Sequence, residues 1–228
     1  SYGRTSGLAG FFYYDAPTMG AANGTGFLGF ADTPSFSQAG GLYYEAVSLF
    51  INVPEGTTVY YTTDGSIPTN QSTPYTGAPI EISRTTPVRA RAFAQDLQPS
   101  ETVTQTYFVN VYHTLPVISL VTDPDELYSE TDGIFTMGDN VDKSKIPFKT
   151  PVYRVYGKVP RPGYVEYYET DGTQVLSQGM EFGLIGQYSL DMPQKSLKVK
   201  AKAAYGAKTF AASLFDDRPF TEYKSFVL

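Results

Sequence analysis

The sequence predicts a mainly β chain, a β-sandwich followed by a second β-rich domain with little helix, and three observations carry that expectation. Tyr (19) and Phe (15) are abundant, and these residues fit a pleated, half-buried surface. Gly (21) and Pro (16) punctuate the chain at short intervals, as turns between short strands require. Val88 to Ala94 reads V-R-A-R-A-F-A, with Arg89 and Arg91 on one face and Val88, Ala90 and Ala92 on the other. That is the two-residue period of a strand. A hydrophobic fraction of 41% over 228 residues supports a packed core and one large or two small domains.

The elements follow in order. Residues 1–31 form a first piece, read as a strand without its own sheet that either pairs with another surface or molecule or stays a mobile arm. Residues 32–110 form a second piece with strands expected near 43–52, 57–63, 80–83, 87–95 and 101–109. Turns are expected at Pro54-Glu55-Gly56, Asp64-Gly65 and Thr76-Gly77. Asp-Gly after V-Y-Y-T-T is a strong short-range hairpin signal. Five short strands with regular turns read as a sandwich. Residues 115–228 form the third piece. Leu197, Val199 and Ala201 alternate there with Lys198, Lys200 and Lys202 as in a half-buried strand.

Charge divides the chain as well. Residues 1–142 hold 4 Lys/Arg against 15 Asp/Glu, while residues 143–228 hold 13 against 8, giving the net −6. Two domains with different surfaces account for the step. The acidic part repels phosphate backbones, so nucleic acid is not expected as a partner. There are no cysteines, which excludes disulfides, cysteine nucleophiles and thiolate metal sites. No 18-residue apolar run occurs, so no membrane span is expected. The first residue is Ser1 and no signal peptide is present, so any export signal is expected to be removed or to lie outside this piece.

Several spaced motifs carry family resemblances. Y-Y-T-T-D-G-S-I-P-T from Tyr60, V-R-A-R-A-F from Val88 and Q-T-Y from Gln105 resemble the chitobiase/β-hexosaminidase C-terminal type of module. The resemblance covers Phe36 to Val109 and implies a small immunoglobulin-like domain appended to extracellular bacterial proteins. S-Y-G-R at Ser1 and P-T-M-G-A-A-N at Pro17 resemble the exit of a lamin-tail domain, with Met19 in place of the usual second proline. L-P-V-I-S-L from Leu115, D-P-D-E-L-Y from Asp123, G-I-F from Gly133 and P-Q-K-S-L-K-V-K-A-K from Pro193 resemble the opening of a spore-coat CotH-type kinase domain. Gly186-Gln187-Tyr188-Ser189-Leu190 lacks the arginine usual in that family, and relatives continue past the Ser225–Leu228 segment into a larger lobe. The resemblance therefore implies a truncated small lobe, with ATP and Mg²⁺ as cofactors of the parent only and Lys195 as the candidate nucleotide-binding residue.

No catalytic residue is assigned. Phosphoryl transfer depends on positioned metal and phosphate charge, and after Lys202 the only acids are Asp216, Asp217 and Glu222. Asp216 to Pro219 reads as a turn. Asp123, Asp125 and Asp132 are candidate Ca²⁺ ligands, since calcium favours clustered oxygens. A capped helical turn at Pro124 accounts for the same acids. Asp64 is expected to bond its own turn, and the single His113 lacks partners for zinc. The doublets Tyr43-Tyr44, Tyr60-Tyr61 and Tyr167-Tyr168 place one ring on each strand face, so half are expected in cores and half are available to glycans. The expected role is a non-catalytic structural or accessory segment of an exported bacterial cell-surface protein. Its expected partners are neighbouring domains, with self-assembly through the N-terminal strand and glycan binding as further alternatives.

Overall fold

A computed structural model describes residues 1–5, 10–14, 16–138, 144, 151–215 and 217–228. The chain divides into two compact units. One holds Ser1–Ala39, Tyr43–Thr63 and Ile67–Val109, and the other holds Gly40–Leu42, Asp64–Ser66 and Asn110–Leu228. The chain is mainly β, as its composition predicts.

The first unit begins with β1 (Tyr2–Gly3), β2 (Phe12–Tyr13), β3 (Gly29–Phe30) and β4 (Ser35–Phe36). The N-terminal strand is not an orphan. It pairs antiparallel with β2, and Tyr13 bridges to Phe27. A strand expected without a sheet of its own thus finds a partner for one edge inside its own chain.

Then follow β5 (Gly41–Tyr43), β6 (Val47–Leu49), β7 (Ile51–Asn52), β8 (Thr58–Thr62) and β9 (Thr73–Pro74). After them come β10 (Ile80–Ile82), β11 (Thr86–Phe93), β12 (Leu97–Gln98) and β13 (Val103–Val109). The main sheet has the order β5-β13-β11-β8-β9. Its apolar face carries Val88, Ala90 and Ala92, all fully buried. Val88 packs with Val47, Leu49, Ile82 and Tyr107, while Ala90 and Ala92 pack with Ile51 and Val59. These two clusters fill the sandwich. The strand expected over 43–52 is broken twice: β5 ends at Tyr43 and β6 starts at Val47, and a second break falls at Phe50, because β6 pairs with β10 and β7 pairs with β4. Phe50 N donates to Ser37 Oγ (3.0 Å), and its carbonyl accepts from Ser37 N (2.9 Å).

Asp64-Gly65 turns the chain without closing a two-residue hairpin, since β9 starts only at Thr73. The Asp64 carboxylate accepts from Ser66 N (3.0 Å) and Ser66 Oγ (2.6 Å), and these bonds hold its pKa below the ordinary value. Asp64 is the turn residue its sequence context predicts, but it opens a loop. β12 pairs in parallel with β3 and so joins the N-terminal segment to the unit.

The second unit contains β14 (Val117–Val121), α1 (Pro124–Tyr128), α2 (Val152–Tyr156), β15 (Arg161–Tyr168) and β16 (Gln174–Ile185). A 3₁₀ turn (Tyr188–Asp191), β17 (Ser196–Lys200) and β18 (Ser225–Val227) complete it. Its sheet order β14-β15-β16-β17-β18 is an antiparallel meander. Val165, Met180, Val199 and Phe210 are its fully buried anchors. Leu190 is buried in the same core. The lysine strand forms as read: Val199 and Ala201 are buried, and Lys198 and Lys200 are exposed. Tyr167 and Tyr168 are both buried, contrary to the one-in, one-out expectation. The Tyr168 hydroxyl donates to the buried Glu166 carboxylate (2.9 Å), which gives the ring's polar tip a partner. Of the turn expected at 216–219, Asp216 lies outside the described residues, and Arg218 N donates to the Phe215 carbonyl (3.1 Å).

Candidate functional site

A concavity of the first unit lies on the arginine face of its sheet. Strict alternation along β11 puts Arg91 and Phe93 on the face opposite Ala90 and Ala92. Antiparallel register sets Arg91 across from Tyr60 and Phe93 across from Thr58, so all four share one face. The result is a groove of about 620 Å³ lined by Tyr60, Arg91, Phe93, Phe27, Asn70 and Gln95 among others. Its size falls within the ~300–1,000 Å³ typical of ligand clefts.

The lining is held from below. Tyr60 and Phe93 meet edge to face, with ring centroids 5.4 Å apart at 90°. Arg91 Nε donates to the Ser100 carbonyl (2.7 Å), and its guanidinium stands 5.8 Å from the Phe93 centroid. This contact is a cation–π pair that stiffens both groups. The loop that carries Asn70 is fixed by its own bonds. Thr69 N donates to Ser72 Oγ (3.0 Å), Ser72 N to the Thr69 carbonyl (3.0 Å), and Gln71 N to Thr69 Oγ1 (3.2 Å). Such side-chain-closed turns order a loop without secondary structure. No described acidic residue lines the groove. Apolar rings with a few placed amide and guanidinium groups form a surface that can grip a ligand but supplies no acid–base pair.

The sequence-predicted residues sit elsewhere. Lys195 precedes β17, its Nζ stands 4.5 Å from the Tyr153 ring centroid, and it donates to the Met192 carbonyl (2.9 Å). Desolvation lowers its pKa, and Asp191 partly offsets that. Asp191 itself accepts from Tyr153 Oη (2.8 Å) and Arg154 Nε (2.9 Å), with a second contact to Arg154 Nη2. Arg154 holds the Asp191 carboxyl below its ordinary value, while burial, helped by Asp191, pushes the Tyr153 hydroxyl up to about 12.

Asp123 caps α1, accepting from Asp125 N (3.0 Å), and Pro124 opens the helix. Asp125 lies in the first turn of that helix, where a carboxylate suits the N-terminal dipole. Asp132 and Glu126 both accept from Arg161 Nη1, at 3.2 and 2.8 Å, and Arg161 Nη2 donates to the Asp132 carbonyl (2.7 Å). Among the described residues no three His, Asp or Glu side chains gather as a metal cage. His113 is exposed. Tyr60, Arg91 and Phe93 belong to motifs visible in the sequence, whereas Phe27, Asn70 and Gln95 reach the groove only through loops and carry no local signal.

Residues 38–104 match the family model of the chitobiase/beta-hexosaminidase C-terminal domain. The matched span carries most of the groove, including Tyr60, Asn70, Arg91 and Phe93. No curated protein and no solved structure matches the chain. No helix among the described residues is long and apolar enough to cross a membrane.

Proposed function

We propose that this chain is a non-catalytic accessory segment of an exported bacterial cell-surface protein, supporting neighbouring domains and contributing a ligand-gripping surface of its own. The observation that carries this reading is the family match over residues 38–104, an accessory immunoglobulin-like module, together with the groove on its sheet face. Surface location rests on the resemblance of the same segment to modules appended to extracellular proteins. The test is turnover by the whole 228-residue chain. Fluorogenic glycosides and Mg²⁺-ATP with a protein acceptor are expected to stay at background rates. A rate above background that a single substitution abolishes would overturn the accessory reading. Protease shaving of intact cells tests location: loss of the protein supports the surface, and full protection contradicts it.

A second reading, a nucleotide-binding small lobe, is favoured by one observation, the desolvated Lys195 beside Asp191 at the resembled motif position. Binding of Mg²⁺-ATP that Lys195→Ala abolishes would support it, and binding unaffected by that change would remove Lys195 from it.

A further inference from the structure

We propose that the groove over Tyr60, Arg91 and Phe93 binds an extended neutral oligosaccharide, an assignment that rests on reading this unit as an accessory module. Four observations converge on that ligand class. First, the floor is aromatic and half-buried while Asn70 and Gln95 are exposed at the rim. A pyranose with equatorial hydroxyls presents the matching surface, with apolar C–H faces for the rings and a polar edge for the amides. Each amide offers donors and an acceptor from one side chain, which suits hydroxyls that do both.

Second, the groove lies on a sheet face, and the outer side of β8 is already paired by β9. Peptide capture by strand addition uses the free edge of a sheet, here that of β9, and not the side-chain face that forms the groove. Third, Arg91 is the single charged residue among the described ones lining the groove, and residues 1–109 hold 4 Lys/Arg against 8 Asp/Glu, so the surface carries too little positive charge to hold a polyanion. Fourth, aromatic surface continues beyond the groove. Phe27, which lines it, is the backbone partner of Tyr13. Tyr13 in turn packs against Tyr2 (4.8 Å) and Phe30 (4.9 Å), and Tyr2 stacks on Phe11 (5.4 Å). Tyr2, Phe11 and Phe30 are 62%, 51% and 55% exposed. That track suits successive sugar rings of one chain.

The experiment titrates the whole chain by calorimetry with cellohexaose, chitohexaose, maltohexaose and a heparin-derived hexasaccharide. Saturable binding of at least one neutral hexaose is expected, weakened about tenfold or more by Tyr60→Ala, the scale of a lost aromatic contact. Asn70→Ala is expected to weaken it as well. Because Asn70 sits on an exposed loop, that variant separates loss of contact from loss of fold. Tyr205→Ala, at an exposed ring of the other unit, is expected to change nothing. Silence with every neutral probe at millimolar concentration, binding of the heparin fragment alone, or binding indifferent to both groove substitutions would overturn the assignment. None of those results touches the non-catalytic part of that reading, which falls only if the chain shows turnover.

Discussion

β11 and β17 carry almost the same pattern and put it to different uses. Each alternates cations with small apolar residues, Val88-Arg89-Ala90-Arg91-Ala92 in one and Leu197-Lys198-Val199-Lys200-Ala201 in the other, and each is an inner strand of its sheet. On their apolar sides both do the same thing: Val88, Ala90 and Val199 are fully buried. The polar sides differ in what the register brings opposite. Arg91 faces Tyr60, and a groove with an aromatic floor results. Lys200 faces Glu181 and pairs with it at 3.0 Å, Lys202 adds a second contact at 3.5 Å, and the charges settle each other. Alternation therefore fixes which residues share a face, and the neighbouring strand decides whether the cationic face holds a groove or an ion-pair network.

Four expected outcomes sharpen this contrast, and the largest concern the shared feature. Leu49→Ala truncates a fully buried side chain of the first unit's core and is expected to lower unfolding free energy by about 2–5 kcal/mol. Met180→Ala is expected to do the same in the second. Denaturant unfolding followed by tyrosine fluorescence checks both, and a loss below ~1 kcal/mol in either would deny that core its role.

Next comes Asp191→Ala, which strips Tyr153 Oη and Arg154 of their shared acceptor. A loss of about 1–3 kcal/mol is expected, together with a lower Tyr153 pKa, since Asp191 is one of the causes that raise it. Ultraviolet titration of the tyrosines reads that shift.

Acid should act on the second unit through its ion pairs. Lys200, then Lys202, depresses the Glu181 pKa, and Arg154 depresses that of Asp191. A carboxyl whose folded pKa lies below its unfolded value of ~4 adds stability above that value and loses it as pH falls through the folded pKa. Stability is therefore expected to fall below pH ~4, and less steeply in Glu181→Gln. Because Lys200 and Lys202 are half exposed, that variant is expected to cost only about 0.5–1 kcal/mol at neutral pH. An unchanged acid slope would show the pairs to be idle.

A comparable effect is expected at α1. Asp123→Ala is expected to cost about 1 kcal/mol and Asp123→Asn almost nothing, because Asn caps as well as Asp. Added calcium should then leave the melting temperature of both unchanged. Calcium stabilisation that both variants lose would instead make Asp123 a ligand.

Much of the fold was legible in the sequence because its signals are local. The strands expected over 87–95 and 101–109 form at Thr86–Phe93 and Val103–Val109, each driven by its own alternation. The helical turn after Asp123 forms where a cap residue precedes Pro124. What was not legible depends on partners distant in sequence. Nothing at Phe50 announces that β6 and β7 join different strands, and nothing near Tyr2 says that Phe12 and Tyr13 will take it up. The site shows the same division. Arg91 and Tyr60 stand in motifs, but only register makes them neighbours, and Phe27 arrives with a segment anchored by the parallel pair of β3 and β12. Lys195 adjoins the lysine alternation visible in the sequence, while its Tyr153 and Met192 contacts come from folding alone.

We propose that this chain grips a ligand on the arginine face of its first sheet and transforms nothing. A crystal of the whole chain grown with whichever neutral hexaose binds tests it most directly. An intact, uncleaved sugar is expected to lie across Tyr60 and Phe93 with hydroxyls against Asn70 and Gln95. A sugar bound only in the second unit, or a cleaved product in the groove, would contradict it.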